Sequence, residues 1–357
     1  MTTAAESAGD FLVTLSDQLG VDCVPQSLRT VLSVACGGRL DTRGPDGRRS
    51  SELSRSGIPF EVSVTGGRGR YAPAIRYVTE TTTWRTAFAD RLHAYLAAIA
   101  ELAARLPPGN ESTTDLLHAF VTALLPDPVA TDPYCMPTMW LGIVHHPAEP
   151  NHPAVLKVYC APDAQTDPIE AVGRRWPVFR ELSPVPADEE HIHCAGIAME
   201  VDAGGHVKHK IYLRAASRNV AVPMKLVRYF GEAAWEVLDE LVRCGIDAAS
   251  LHEFSYYICC THREDGTRCF TVTLMLGSSC EYPELIRELA SRHHGTTRAV
   301  DAMTHAAAAC NASWHNSGLA LGFSPGDGID KFTVYGAPTW EDLGGPAASD
   351  PARQPSQ

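Results

Sequence analysis

Eleven cysteines occur in the chain without one C-x-x-C spacing, and two of them, Cys259 and Cys260, are adjacent. That excludes the usual zinc signatures and a small disulfide framework; it reads as thiols kept reduced in a cytoplasm and used as small buried apolar residues. No basic segment precedes an apolar run at the N-terminus, and no apolar stretch reaches the ~18 residues a membrane span needs, so no membrane partner is expected. Positive charge is also scarce. Thirty Lys and Arg stand against 42 Asp and Glu, a formal net charge of -12. A nucleic-acid partner needs a cationic face and is excluded by that balance. Gly66-Gly67-Arg68-Gly69 joins strand to strand, so it is no phosphate loop. The pairs His145-His146, His191-x-His193 and His293-His294 lack a third ligand at a recognisable spacing, and read as solvated loop histidines.

What the chain does have is a repeated strand. Residues 207–214 read V-K-H-K-I-Y-L-R, which puts Lys208, Lys210 and Tyr212 on one face and Val207, His209, Ile211 and Leu213 on the other. Two ammonium groups on one face repel and resist desolvation unless an anion lies between them. The lettering returns. L-K-V-Y-C at 156–160 aligns Lys157 with Tyr159, and K-F-T-V-Y-G at 331–336 aligns Lys331, Thr333 and Tyr335. A degenerate copy, T-V-T-L at 271–274, places Thr271 and Thr273 on the same face. From Lys157 to Lys210, Thr271 and Thr333 the steps are 53, 61 and 62 residues, which calls for a repeat reading.

Strand pairs are expected at 59–64 with 74–79, 139–144 with 155–160, 195–201 with 207–213, 254–261 with 270–276, and 318–323 with 332–336. Helical spacing falls between and before them, at 5–19, 26–35, 85–106, 114–125, 168–176, 224–244, 282–291 and 297–309. With 357 residues and 45% hydrophobic composition the chain could form two domains or one large closed one, and the repetition favours one. We read residues 1–57 as N-terminal helices and a loop, 58–340 as the repeat domain and 341–357 as a frayed tail.

Five helix-strand-strand-helix units give ten antiparallel strands, an α+β arrangement. A sheet that long twists, and closing it into a barrel removes its edges. The apolar strand faces need the amphipathic helices packed on them, so the polar faces must look inward. The expected lumen is wet and holds Glu61, Arg76, Lys157, Lys208, Lys210 and Lys331 interleaved with Tyr159, Tyr212 and Tyr335. Converging cations suit an oligophosphate, and adjacent tyrosine rings suit a carbocation shielded from water. Together they describe ionisation of an allylic diphosphate, with Glu61 placed to accept a hydrogen bond from an N–H of the acceptor.

The boxes P-F-E-V-S-V, I-R-Y-V-T-E, L-K-V-Y-C, K-H-K-I-Y-L and F-T-V-Y-G, in this order over about residues 58–338, resemble the dimethylallyltryptophan-synthase-type (ABBA-fold) aromatic prenyltransferases. The chain is more similar to the bacterial members than to the longer fungal ones. The resemblance implies a closed ten-stranded barrel ringed by helices. It implies transfer of a dimethylallyl group from its diphosphate to the indole of tryptophan, or of a tryptophan-derived small molecule or peptide. It places Glu61 at the indole N–H, Arg76, Lys157, Lys208 and Lys210 in the diphosphate clamp, and Tyr159, Tyr212 and Tyr335 in the cation shield. Lys331 and Thr271 extend the diphosphate set, and Thr273 the shield. No cofactor is implied, and the sequence has no Asp-Asp-x-x-Asp box to hold diphosphate through magnesium.

Three departures matter. Lys208 stands where Arg is more usual, and Thr271 and Thr273 stand where the family often has a polar residue and a Tyr, which opens a gap in the shield. The strand at 139–144 lacks the Lys that some fungal relatives use as a base. His145, His146 or water then takes the proton, or attack occurs at a position where Glu61 suffices. Two other functions stay open: transfer of a geranyl or other prenyl group to a non-indole aromatic, and a non-catalytic barrel binding an anionic aromatic ligand.

Overall fold

Alternating strands close on themselves in the computed structural model, which describes residues 3–42, 51, 53–54, 57–82, 86–107, 111–125, 137–161, 167–262, 266–276 and 282–341. The strands are β1 (Phe60–Gly67), the two-residue β2 (Arg70–Tyr71), β3 (Ile75–Glu80), β4 (Thr138–His145), β5 (Val155–Ala161), β6 (Ile192–Asp202), β7 (Val207–Ala215), β8 (Ser255–His262), β9 (Arg268–Met275), β10 (Ser313–Ser324) and β11 (Gly328–Thr339). Each pairs antiparallel with its neighbour in chain order, β2 being a spur on β1, and β11 returns to pair with β1. The seam joins Ser63 to Tyr335 and Thr65 to Thr333, whose hydroxyls lie 2.9 Å apart. The result is the expected barrel of ten strands.

Before each strand pair stand two helices: α1 (Ala4–Leu19) and α2 (Pro25–Ala35), α3 (Phe88–Ala103) and α4 (Glu111–Leu124), α5 (Pro168–Gly173) and α6 (Val178–Leu182), α7 (Val222–Phe230) and α8 (Glu232–Arg243), α9 (Pro283–His294) and α10 (Arg298–Ala309). Local chemistry sets their ends. Thr3 and Glu6 form a capping box on α1, Gly20 closes it in the left-handed region, and Pro25 opens α2 at a position that needs no N–H donor. The continuous helix expected over 224–244 is broken. Gly231, at φ 56° and ψ -132°, turns the chain between α7 and α8 in a conformation essentially restricted to glycine. The helix expected over 168–176 is present as α5 and stops short of Pro177, which is the N-cap of a second short helix, α6, that was not expected.

The core lies between barrel and helix ring. Phe60, Val62, Tyr77, Leu141, Val158, Ile211, Ile258, Val272, Leu321, Phe332 and Val334 point outward from the strands, and all are 2% exposed or less. They meet Phe11, Leu15, Ile99, Phe120, Leu226, Leu289 and Met303 from the helices in one continuous cluster. Each such side chain contributes about 1.5–3 kcal/mol by leaving water. Phe11, Leu12, Leu28 and Leu32 belong to that cluster, so α1 and α2 form the first pair of the ring and share its core. Much of the loop expected over 37–56, and nearly all of the tail at 341–357, lie outside the described residues.

Candidate active site

Strand alternation puts the polar set inside. On β7, Ile211 and Leu213 are buried in the outer core, so Lys208, Lys210, Tyr212 and Arg214 face the lumen. Register carries this face around the barrel: Lys157 pairs with Glu200, Glu200 with Lys208, Tyr212 with Cys259, Cys259 with Thr271, and Tyr335 with Ser63. Lys331 pairs with Gly322, and a Cβ there would stand 3.0 Å from Lys331 Cβ and 3.3 Å from Thr271 Oγ1. A missing side chain at Gly322 therefore lets Lys331 and Thr271 approach each other. Every site residue expected from the sequence (Glu61, Arg76, Lys157, Tyr159, Lys208, Lys210, Tyr212, Thr271, Thr273, Lys331 and Tyr335) lies on this one inner face.

The cations are close enough to sense one another. Glu200, which the sequence reading did not single out, lies in their midst: its carboxylate is 3.2 Å from Lys157 Nζ and 3.6 Å from Lys208 Nζ, and it bonds Lys210 directly. Burial works against its charge, but Lys210, Lys157 and Lys208 outweigh burial and hold it well below the usual carboxylate range. Lys157 and Lys210 share one carboxylate oxygen yet titrate in opposite directions. Burial disfavours both ammoniums. Tyr159 and Glu200 overcome it at Lys157, whereas Lys210 is lowered by burial and by Lys157 beside it. Lys331 is brought down to about 8 by burial and by Lys210, Arg76 and Lys157. Arg76 is half-buried, and its enclosed Nε has no hydrogen-bond partner.

Beside this nest stands an aromatic wall. The Tyr159 and Tyr212 ring centroids are 5.4 Å apart, and Lys157 Nζ lies 5.2 Å from the Tyr159 centroid. Burial raises the Tyr212 and Tyr335 phenols, so both stay neutral and present uncharged π faces. Trp140 extends the wall, 6.5 Å from Tyr159 and donating its indole N–H to Glu80 across 3.3 Å. Thr273, expected to leave a gap in the shield, pairs across the sheet with Tyr257, and the Arg214 guanidinium lies 5.8 Å from that ring's centroid. An aromatic ring from the adjacent strand therefore stands beside the expected gap.

Glu61 faces the same lumen from β1. Burial pushes its pKa up to about 7, opposed by a hydrogen bond from Ser317 Oγ at 2.5 Å. His145, one of the candidate bases, is removed from the site. It pairs with Ile75 on the outward face, is fully buried, and bonds the Tyr77 hydroxyl at 3.1 Å, with its pKa lowered to about 4 by burial. Among the described residues no three His, Cys, Asp or Glu side chains gather as a metal site. No described helix is long and apolar enough to cross a membrane.

No protein-family model and no curated protein matches the chain. Solved structures do. The crystal structure of 5-dimethylallyltryptophan synthase from Streptomyces coelicolor superposes with a TM-score of 0.71 at 20% identity, over 94% of this chain and 97% of that one. That of 6-dimethylallyltryptophan synthase from Micromonospora olivasterospora, in complex with DMASPP and Trp, gives 0.71 at 17% identity over 98% and 100%. AnaPT from Neosartorya fischeri gives 0.62 at 15% over 98% and 96%. The chain has the dimethylallyltryptophan-synthase fold. Within that fold, Glu200, Ser317, Trp140 and Tyr257 are among the lumen residues that sequence reasoning passed over. Glu200 alone carried a clear signal, because the hairpin turn after 202 puts it opposite Lys208.

Proposed function

We propose that the chain moves a dimethylallyl group from dimethylallyl diphosphate to the indole of tryptophan, or of a tryptophan-derived small molecule or peptide, by way of an allylic cation. The observation that carries this is adjacency: a nest of Arg76, Lys157, Lys208, Lys210 and Lys331 abuts the Tyr159–Tyr212 wall. The cations support departure of diphosphate, and the rings face the positive charge it leaves behind. Glu61 accepts the indole N–H and makes the ring more electron-rich. Gly142 stands where β4 faces Lys157, so β4 offers no side-chain base at that point, and His146 or water takes the final proton. The likeness to structures solved with DMASPP and Trp supports the same donor and acceptor classes.

We place the activity outside metal dependence, since five protein cations occupy the role magnesium plays elsewhere. The test is incubation with tryptophan and dimethylallyl diphosphate, scored by pyrophosphate release and a mass gain of one prenyl unit, with and without EDTA. Turnover unaffected by EDTA is expected. Pyrophosphate-free, unmodified tryptophan would end the proposal, and abolition by EDTA would end its metal-free part.

A further inference from the structure

The lysines that face a donor diphosphate already hold an anion. Glu200 projects from β6 between β5 and β7, its side chain 12% exposed, and all three of Lys157, Lys208 and Lys210 reach its carboxylate. The register requires this, since Glu200 pairs with Lys157 on one side and Lys208 on the other. Arg76 and Lys331 differ. Arg76 is half-buried with its enclosed Nε unpartnered, and neither residue forms an ion pair among the described residues. The nest thus has two parts: a trio in direct contact with an internal carboxylate, and a pair that bonds no acid, Arg76 feeling Glu200 only at longer range. Register puts both parts on one inner face, Arg76 pairing with Ser63 and Ser63 with Tyr335 of the strand that carries Lys331, and Lys331 senses Lys210, Arg76 and Lys157 together.

The geometry points to Glu200 as a selectivity residue, a resident anion that sets how much charge and reach an entering phosphate ligand must have. The inference rests on the prenyl-transfer reading of this site and names how that site chooses its anion. A short ion such as orthophosphate that settles on the trio stands against the Glu200 carboxylate, and repulsion cancels much of its attraction to the lysines. A diphosphate is longer. One phosphoryl group engages Arg76 and Lys331 while the other meets the trio. Each ammonium has three N–H donors and can turn one to the ligand while keeping another on Glu200. The same repulsion loosens free pyrophosphate once the prenyl group has left, so Glu200 also favours product release. It touches no reacting atom and acts through the lysines.

Titration calorimetry on the full chain tests this, using sodium pyrophosphate and sodium orthophosphate as separate ligands without an acceptor. Circular dichroism first establishes that each variant is folded. Wild-type protein is expected to bind pyrophosphate at least ~100-fold more tightly than orthophosphate. In Glu200→Gln, orthophosphate binding should tighten at least ~10-fold and pyrophosphate by less, so the ratio narrows. Glu200→Asp keeps the charge and should keep the ratio. Glu200→Ala leaves room for water in the same place and repeats the comparison if the Gln variant does not fold. Weaker binding of both ions in the Gln and Ala variants, or an unchanged ratio, would show that Glu200 merely scaffolds the lysines and would overturn the inference while leaving the prenyl-transfer reading intact. Wild-type protein that binds no pyrophosphate would remove that reading, and this inference with it.

Discussion

Ser317 Oγ donates to Glu61 Oε1 across 2.5 Å, joining strands that are neither sequential nor directly paired. The contact arises from a bulge: the register of β10 against β11 shifts between Asn316 and Gly318, leaving Ser317 without a partner in the ladder and free to turn to Glu61. One carboxylate oxygen is thereby fixed and the other left for an acceptor. Ser317→Ala should raise the acceptor KM several-fold, with donor KM unchanged. Loss of the bond also removes what opposes burial, so the acid limb of kcat/KM for the acceptor should move to higher pH. Ser317→Thr should restore both; a Thr variant as impaired as Ala would refute the positioning role.

The pH profile should be a narrow bell. Glu61, raised by burial to about 7, accepts an N–H when ionised, so acceptor turnover falls as pH drops through that value. Lys331, lowered by burial and neighbouring cations to about 8, is charged below that value and neutral above it, so donor kcat/KM falls as pH rises past it. Lys331→Arg should extend the alkaline limb upward and leave the acid limb in place. Initial rates from pH 5 to 10 decide this.

Loss of one preorganised charge at the diphosphate should be expensive. Lys210→Ala is expected to lower kcat by ~10²–10³, an effect of about 3–4 kcal/mol on the barrier. Rapid-quench measurement of pyrophosphate formation reads the ionisation step directly, and an unchanged rate would contradict the assignment.

For the wall, the π face matters more than the hydroxyl. Tyr212→Phe should keep most activity, whereas Tyr212→Leu should lose ~10-fold or more and release more dimethylallyl alcohol as water captures the cation. Product partitioning by mass spectrometry distinguishes the two, and equal losses in both variants would show that the phenol, not the ring, is what counts.

Gly231→Ala tests the break between α7 and α8. At φ 56° and ψ -132° an added Cβ is strained, so the variant should lose about 1–3 kcal/mol of stability with little change in turnover per folded molecule. Chemical denaturation with an activity assay on the same samples provides the check.

Much of this is legible in the sequence because strand alternation is a strong signal: Lys157 with Tyr159, Lys208 with Lys210 and Tyr212, and Lys331 with Tyr335 all share the inner face that their spacing implies. The outward apolar faces then dictated a helix ring. What stayed hidden depended on register or on a single backbone irregularity. Tyr257 fills in beside Thr273 because of how β8 pairs with β9, and Ser317 turns inward because of the bulge. His145 lies on an outward position that a loop reading of the His pair did not assign to a face. The break at Gly231 was masked by a helical apolar stripe that runs through it on both sides.

Closure at the β1–β11 seam has a consequence for biosynthesis. Thr65 and Thr333 are partners 268 residues apart, so a nascent chain exposes both ends of an unfinished sheet until the last strand has left the ribosome. Pairing at such separation forms late and slowly, and open strand ends invite other chains. Expression at lowered temperature, where the hydrophobic attraction between exposed strands of different chains weakens, should therefore favour recovery of monodisperse protein over inclusion bodies.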